Sequence, residues 1–478
     1  MSEKKSIKLN IVLNIIRQGS MVLFPLILLP YLTRVLQTDC YGRYNRCLNL
    51  VNYFSLLGAN GIITYSVREV SKLREHLKSA EETANQIYTI NVITTVLAYL
   101  LLGILLLIWH PSRDYVVLLG IASILVLCQT LEREWVLNVY EDYSFITIRT
   151  LVLQSLRVIL AFTLVKTKDD VVIYATINTV VAALITIADR IRGRKYLKVR
   201  LTKDLEIKKH LKPMLIIFLS TLVIFICQES NITMLGFMKD EDTVGIYSIA
   251  AQIFTFTKMI ITAVAIVMVP RMTLYINNGN QDGYKELVSK AMKFLIIFSV
   301  PTACGIFMVS KEAVLLVAGS GFSDAQIPLQ ILSAALLFAA FGHFLINGIL
   351  LVTHNEKKAF LITAIGAISN IALNAVLIPQ LGYIGTAATT LFVEGLIAVL
   401  GISLAKRNLY VENMKEALIP ALIGGAYIVG ICILMDKTGM TMVPCLIVKI
   451  ALSMLGYGCV VLLGNKKLLR EIRSSLHL

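Results

Sequence analysis

Charge is scarce in this chain. Asp, Glu, Lys and Arg make up 16% of its 478 residues, against about a quarter in a typical soluble domain. That is too little to clothe a water-exposed surface of this size. Acids are scarcer than bases, 30 against 45, for a net charge of +15. The 8 cysteines form no Cys-x-x-Cys pair and have no nearby histidine, which argues against a disulfide framework or a zinc site. Enzyme signatures are missing too. The sequence holds no Gly-x4-Gly-Lys-Ser/Thr phosphate loop, no His-Glu-x-x-His zinc helix and no Gly-x-Ser-x-Gly nucleophile turn. We therefore expect neither an enzyme, nor a metal, nor a bound cofactor.

What is there is apolar, and it comes in long runs. Hydrophobic residues reach 57%, with a mean hydropathy of +0.75. Stretches such as MVLFPLILLPYL and VITTVLAYLLLGILLLIW carry the excess, and runs of about 18 or more apolar residues read as membrane-spanning helices. Cys128, Cys227, Cys304, Cys432 and Cys459 lie inside such runs, as small packing residues. The expected fold is an all-α polytopic membrane protein of about fourteen spans. Their approximate limits are 9–32, 41–65, 86–109, 115–137, 145–165, 171–189, 213–237, 244–270, 291–310, 327–352, 359–378, 383–405, 417–435 and 442–463. The N-terminal lysines precede a first span that we read as uncleaved.

Loop charge tests this count. With the N-terminus inside, the inner loops hold about 30 Lys and Arg and the outer loops about 8, as the positive-inside rule requires. Both termini are then cytoplasmic. This asymmetry explains the basic balance better than nucleic-acid binding does. The basic segment from Arg190 to Lys212 divides the first twelve spans equally; it reads as a solvated connector, with a segment lying along the anionic inner leaflet as the alternative. The domains so drawn are 1–200 with spans one to six, 201–410 with spans seven to twelve, and 411–478 with two added spans and a cytoplasmic tail. The outer loops are short. The longest, KEAVLLVAGSGFSDAQ, holds no His or Arg, which argues against a membrane glycan polymerase or ligase.

A pattern repeats between the halves. YGRYNRCLNLVNYF begins at Tyr41, and VGIYSIAAQIFTFTK begins at Val244. In one register Gly42 falls on Gly245, Tyr44 on Tyr247, Asn45 on Ser248, Asn49 on Gln252, Asn52 on Thr255 and Ser55 on Lys258. The spacing puts each polar set on one helical face, where a water-filled cavity would tolerate it. Gly42 and Tyr44 are expected to mark the shared first turn of the two helices. Parallel repeats of this kind suggest a transporter. The first span adds Asn10, Asn14, Arg17 and Gln18 on one face, and Pro25 and Pro30 as sources of a bend.

Charges inside the spans are costly and mark function or pairing. Arg17, Arg157 and Lys258 sit deep, with Gln154 on the face of Arg157; Arg46 is nearer the outer end and Arg149 nearer the inner. These five, with Asn14, Asn49, Asn52 and Gln252, are the candidate substrate-binding residues. Arg133 between Glu132 and Glu134 reads as a structural ion-pair cluster. Lys449 reads as peripheral, and His343 with Asn347 as a packing pair. Glu229 and Glu394 are candidate ion-coupling residues, or else partners of an arginine.

PYLTRVL, YGRYN, FSLLGANGI and VREVSK, followed later by NITMLGFMKDEDTVGIYSIAAQI and NAVLIPQLGYIGTAATT, resemble bacterial polysaccharide-transport proteins. These are lipid-linked oligosaccharide flippases of the multidrug/oligosaccharidyl-lipid/polysaccharide exporter superfamily. The last stretch resembles the family pattern at Asn374, Ile378, Pro379, Gly382, Gly385, Ala387 and Ala388. The chain departs from the family at Gln37, where glycine is common, at Asn60 and Gly61, and near Asn231, where an acid is common. The resemblance implies two six-helix lobes with pseudo-two-fold symmetry around a central cavity, plus two C-terminal helices. It implies alternating access that carries an undecaprenyl-diphosphate-linked oligosaccharide from the inner to the outer leaflet of the bacterial cytoplasmic membrane, for O-antigen or capsule. Membrane lipids, a polysaccharide polymerase and a chain-length regulator are the implied partners, and a proton or sodium gradient the implied driving force. A cation-coupled multidrug exporter is the alternative within the superfamily.

Overall fold

The computed structural model describes residues 7–59, 61–109 and 112–464. Lys4, Lys5, Asn60 and the C-terminal tail lie outside them. The described residues form helices and no strands. Thirteen helical stretches are long and apolar enough to cross a membrane, which makes the chain an all-α, multi-pass membrane protein. The first stretch, Val12–Lys72, has 61 residues, several times what one crossing needs. It contains the first and second expected spans, with a break between them at Gln37.

The chain divides into two compact units, Met1–Thr233 and Met234–Leu478. The first holds α1 (Ile7–Ala59), α2 (Ile62–Lys72), α3 (Leu77–Trp109), α4 (Arg113–Leu131), α5 (Glu134–Val139), α6 (Tyr143–Leu164) and α7 (Val171–Gly193), and α8 (Ile207–Met238) carries the chain onward. Helix α1 is the hub and packs against α3, α4 and α6. Its helical course breaks at Gln37 (φ 60°, ψ −176°), so the turn precedes Gly42, which lies within helix. In the second half the equivalent helix is capped by Asp240, whose carboxylate accepts from the Thr243 amide; Gly245 is again inside. The glycines therefore do not mark the turns; both helices are already under way when they occur.

A second break matters more for function. The expected fourth span, 115–137, is two helices. Helix α4 ends at Leu131, Glu132 is extended (ψ 144°), and α5 restarts at Glu134. The charged LEREW segment thus sits in a gap between helices, not along one.

The basic segment is also more than a connector. Leu197 is buried with Val70, Ala80, Ala84, Trp135, Val136 and Val139. Backbone amides of Lys198, Arg200 and Thr202 donate to Glu81 Oε1 (2.9 Å), Asn85 Oδ1 (2.6 Å) and Thr89 Oγ1 (3.0 Å) on α3. Tyr196 and Arg192 both donate to the Asp142 carboxylate at 2.7 Å. Burial first, then the bond to Asp142, holds the Tyr196 hydroxyl above its ordinary value.

The second unit holds α9 (Glu241–Val267), α10 (Val269–Asn277), α11 (Gln281–Met308), α12 (Ser310–Ala318), α13 (Gln326–Phe344), α14 (Glu356–Leu381), α15 (Tyr383–Ala405), α16 (Lys415–Asp436) and α17 (Met442–Gly464). Helix α13 is its hub, packing on α9, α11 and α15, and the two added helices join through α16 on α11. Helix α13 runs on into a π-helical turn, Leu345–Leu350, in which Gly348 has no room for a Cβ against the Phe344 ring. The expected outer loop KEAVLLVAGSGFSDAQ is largely ordered as α12 and a 3-10 turn.

Candidate functional site

In the first unit, four elements bring charge to one place. On α1, Asn14 and Arg17 share a face, and Arg17 donates twice to Asn14 Oδ1 at 3.3 Å. Its Nη1 donates to Glu134 Oε1 at 2.8 Å. Arg149 on α6 bridges Glu134 Oε2 and Asp189 Oδ2, both at 2.8 Å. Asp189, the last residue of the expected sixth span, is fully buried. Arg17 and Arg149 are thus joined through one carboxylate. A buried pair of this kind costs about 3–5 kcal/mol to break from one side.

The ion-pair cluster expected within LEREW forms differently. Glu134 takes its arginines from α1 and α6, not from its neighbour. Arg133 instead lies over the Tyr88 ring, 3.9 Å from its centroid, and its Nη2 is buried without a partner. The chain break at Glu132 turns the adjacent side chains in different directions, so adjacency in sequence does not become pairing in space.

Beside the cluster is a cavity of about 520 Å³, lined by Asn52, Ser55, Gln129, Glu132, Glu134 and Arg149 among others. Asn52 and Ser55 belong to the polar stripe. Higher on the same face, Asn49 donates to Glu229 Oε2 at 2.5 Å and accepts from Thr233 at 2.5 Å. Glu229 therefore partners an amide, not the arginine that was the simpler expectation; no salt bridge reaches it among the described residues. Tyr44 accepts from Asn178 Nδ2 at 2.8 Å and packs on Tyr174. Arg157 Nη1 reaches the same Asn178 at 3.5 Å, while Arg157 Nε and Gln154 Oε1 are buried without partners among the described residues. Arg46 lies over Trp109 and Tyr115, at 5.1 and 5.5 Å.

The second unit repeats the scaffold with other chemistry. Ser248 donates to the Val244 carbonyl as Asn45 does to Tyr41, four residues back in each case. Tyr247 meets Thr390, on the sixth span of its half, as Tyr44 meets Asn178 on the sixth span of the first. Where the first copy has Ser55, Lys258 donates to Glu394 Oε1 at 2.6 Å, so two candidate residues neutralise one another. Gln252 is half-buried on the same helix. Asn347 donates to the His343 carbonyl at 3.0 Å. Lys449, expected at the periphery, is fully buried and bridges Glu312 (2.6 Å) and Asp436 (2.5 Å); it ties α17 to α12 and α16. An apolar cavity of about 1070 Å³ runs along α11, α16 and α17, bordered by Phe294, Phe298, Ile306, Ile450 and Val461.

Asp189, Asn178 and Tyr174 were not among the sequence candidates. Asp189 lay at a predicted span limit, where an acid reads as a loop residue. The other two are ordinary in composition and matter only through what faces them.

Bundled helices, charges paired inside them and polar stripes repeated in each half define a multi-pass membrane protein of the transporter type. Residues 7–276 match the polysaccharide biosynthesis protein family, and the chain belongs to that family. Residues 214–376 also match the MatE family. A protein of Escherichia coli (strain K12), provisionally designated an O-antigen transporter, is 23% identical over 85% of this chain and 98% of its own length. A Haloferax volcanii protein designated, on probability, a low-salt glycan biosynthesis flippase is 25% identical over 34% of each chain. Among solved structures, the lipid II flippase MurJ in an inward closed conformation shares the fold with a TM-score of 0.76 at 14% identity, covering 96% of this chain and 100% of that one. An inward-facing multidrug resistance MATE transporter gives 0.62 at 13%, covering 83% and 98%.

Proposed function

We propose that the protein is a flippase for a lipid-linked oligosaccharide, moving the unit from the inner to the outer leaflet of the bacterial cytoplasmic membrane by alternating access, for a surface polysaccharide. The substrate we favour carries its glycan on undecaprenyl diphosphate. Family membership and the designations of the relatives support this reading, and one observation in the first unit carries it. Of the deep cations singled out in the sequence, Arg17 and Lys258 are held by carboxylates. Arg157 has no carboxylate within 4 Å among the described residues, and it has a buried donor to spare. A diphosphate is the ligand such a guanidinium suits. Amides and hydroxyls at Asn52, Ser55 and Gln129 suit sugar hydroxyls. A charge-assisted hydrogen bond contributes about 1.5–3 kcal/mol, so Arg157→Ala should lower glycan export about ten- to a hundredfold while the protein remains folded and inserted. Arg157→Lys should restore export only in part, because the fork geometry is lost. In a deletion strain, lipid-linked units should accumulate on the cytoplasmic leaflet. Units displayed outside but unpolymerised would replace this reading with a polymerase.

A further inference from the structure

Glu132 stands apart from the carboxylates around it. Its backbone is the gap between α4 and α5, and among the described residues the only bond that reaches it from a side chain goes to its carbonyl oxygen, from Arg133 at 3.4 Å. No donor and no cation meets its carboxylate among the described residues. A carboxylate oxygen of Glu132 lies within 4.8 Å of one from Glu134 and one from Asp189. The guanidiniums that could compensate it are engaged elsewhere, Arg17 on Glu134 and Arg149 on Glu134 and Asp189.

Two cavities meet at this residue. Glu132, Glu134 and Gln129 line both the 520 Å³ cavity and a smaller one of about 60 Å³. Three polar atoms on the smaller cavity have no partner among the described residues: Ser66 Oγ, Asn91 Oδ1 and Arg133 Nη2. Ser66, Asn91 and Arg133 are all more than nine-tenths buried. Unsatisfied buried groups of this kind call for water, and the space suits about two molecules at roughly 30 Å³ each. Glu132 therefore has a small polar pocket on one side and the large cavity on the other.

We propose that Glu132 binds and releases a proton, exchanged between the large cavity and the small polar pocket formed by Ser66, Asn91 and Arg133. The groups facing it are Arg17 from α1, Tyr88 and Asn91 from α3, Gln129 and Cys128 from α4, Arg133 and Glu134 at the start of α5, Arg149 from α6 and Asp189 from α7. Three carboxylates so close are not all ionised without a cost that a proton removes. Arg17 and Arg149 already hold both oxygens of Glu134 and Oδ2 of Asp189; a proton needs only one oxygen, on Glu132. The step is proton transfer alone: hydronium in the cavity gives its proton to the carboxylate and leaves water, and release reverses this. Taking up the proton makes the site, with its Arg17, Arg133 and Arg149 guanidiniums and its Glu132, Glu134 and Asp189 carboxyls, one charge less negative. Resting on the flippase reading, this makes the loaded site the one that admits an anionic head group.

The test uses the full chain in detergent micelles and the probe dicyclohexylcarbodiimide, which adds to protonated carboxyl groups in apolar surroundings. Peptide mass spectrometry should find the adduct on Glu132 at acid pH, falling at least tenfold toward alkaline pH, with Glu134 and Asp189 unmodified. No adduct on Glu132, or one indifferent to pH, overturns the proposal. Glu132→Gln is close in shape and keeps a folding control simple. Acid-minus-alkaline infrared difference spectra should show a protonated carboxyl C=O band in the native chain that is lost in this variant. The band persisting in Glu132→Gln and vanishing in Glu229→Gln would move the site to Glu229. These readouts need no glycan. A proton at Glu132 without lipid-linked intermediates in the deletion strain would defeat the flippase reading alone.

Discussion

Gln37 holds a backbone conformation, φ 60° and ψ −176°, that is close to glycine's alone. A residue with a Cβ there carries about 1–3 kcal/mol of strain, less the entropy that glycine would lose on folding, about 0.5–1 kcal/mol. Gln37→Gly should therefore stabilise the protein by roughly 1 kcal/mol, read as a rise in the thermal unfolding temperature in detergent. A fall would mean that the Gln37 side chain holds the turn. The sequence already pointed here, because the resembled family commonly has glycine at this position; it did not reveal the conformation that makes glycine fit. The charged residues show the same division. Arg17, Arg149 and Lys258 were recognisable as intramembrane cations, since cost alone identifies them. Their partners were not, because Glu134, Asp189 and Glu394 lie 117, 40 and 136 residues away, and no periodicity reports such distances.

At the scale of elements, hydrophobic runs made the spans legible, and the repeated stripe made the equivalence of α1 and α9 legible. What stayed hidden were the departures from regular helix: the gap at Glu132, the π-helical turn after α13, and the strap along α3. The strap has a simple geometric basis. Glu81, Asn85 and Thr89 are four residues apart, about 6.0 Å per step along a helix. Lys198, Arg200 and Thr202 are two apart, about 6.6 Å per step in an extended chain. The two repeats nearly match, so three acceptors on one helix face meet three amides of an extended segment. The same alternation turns Leu197 inward and leaves Lys198 and Arg200 exposed. Asn85→Ala removes the middle acceptor, at about 1 kcal/mol. Hydrogen exchange at the Arg200 amide should quicken about fivefold, with smaller changes at Lys198 and Thr202. Unchanged protection at all three would show that burial of Leu197 alone holds the strap.

For the whole molecule, the expectation that organises everything else is its orientation. Positive charge gathers on one side of the spans, and the strap from Arg190 onward is the largest single contribution. The helices themselves do not state which side is the cytoplasm; the orientation is the expectation that the loop charges give. If the strap is cytoplasmic, the turn between α6 and α7 is on the opposite side, because α7 alone connects them. Lys203 and Lys168 are both exposed in these segments, and a cysteine at either leaves the helices intact. All 8 native cysteines are free thiols, so both substitutions belong in a background with the native cysteines replaced. In intact cells a membrane-impermeant maleimide should label Lys168→Cys and spare Lys203→Cys until the membrane is opened. The reverse pattern would invert every span. Asp189 lies one turn before the end of α7, the helix that leads into the strap, and Arg149 joins it to Glu134. The labelling therefore also decides which compartment lies nearer the Glu132 pocket, and so from which side its proton is drawn.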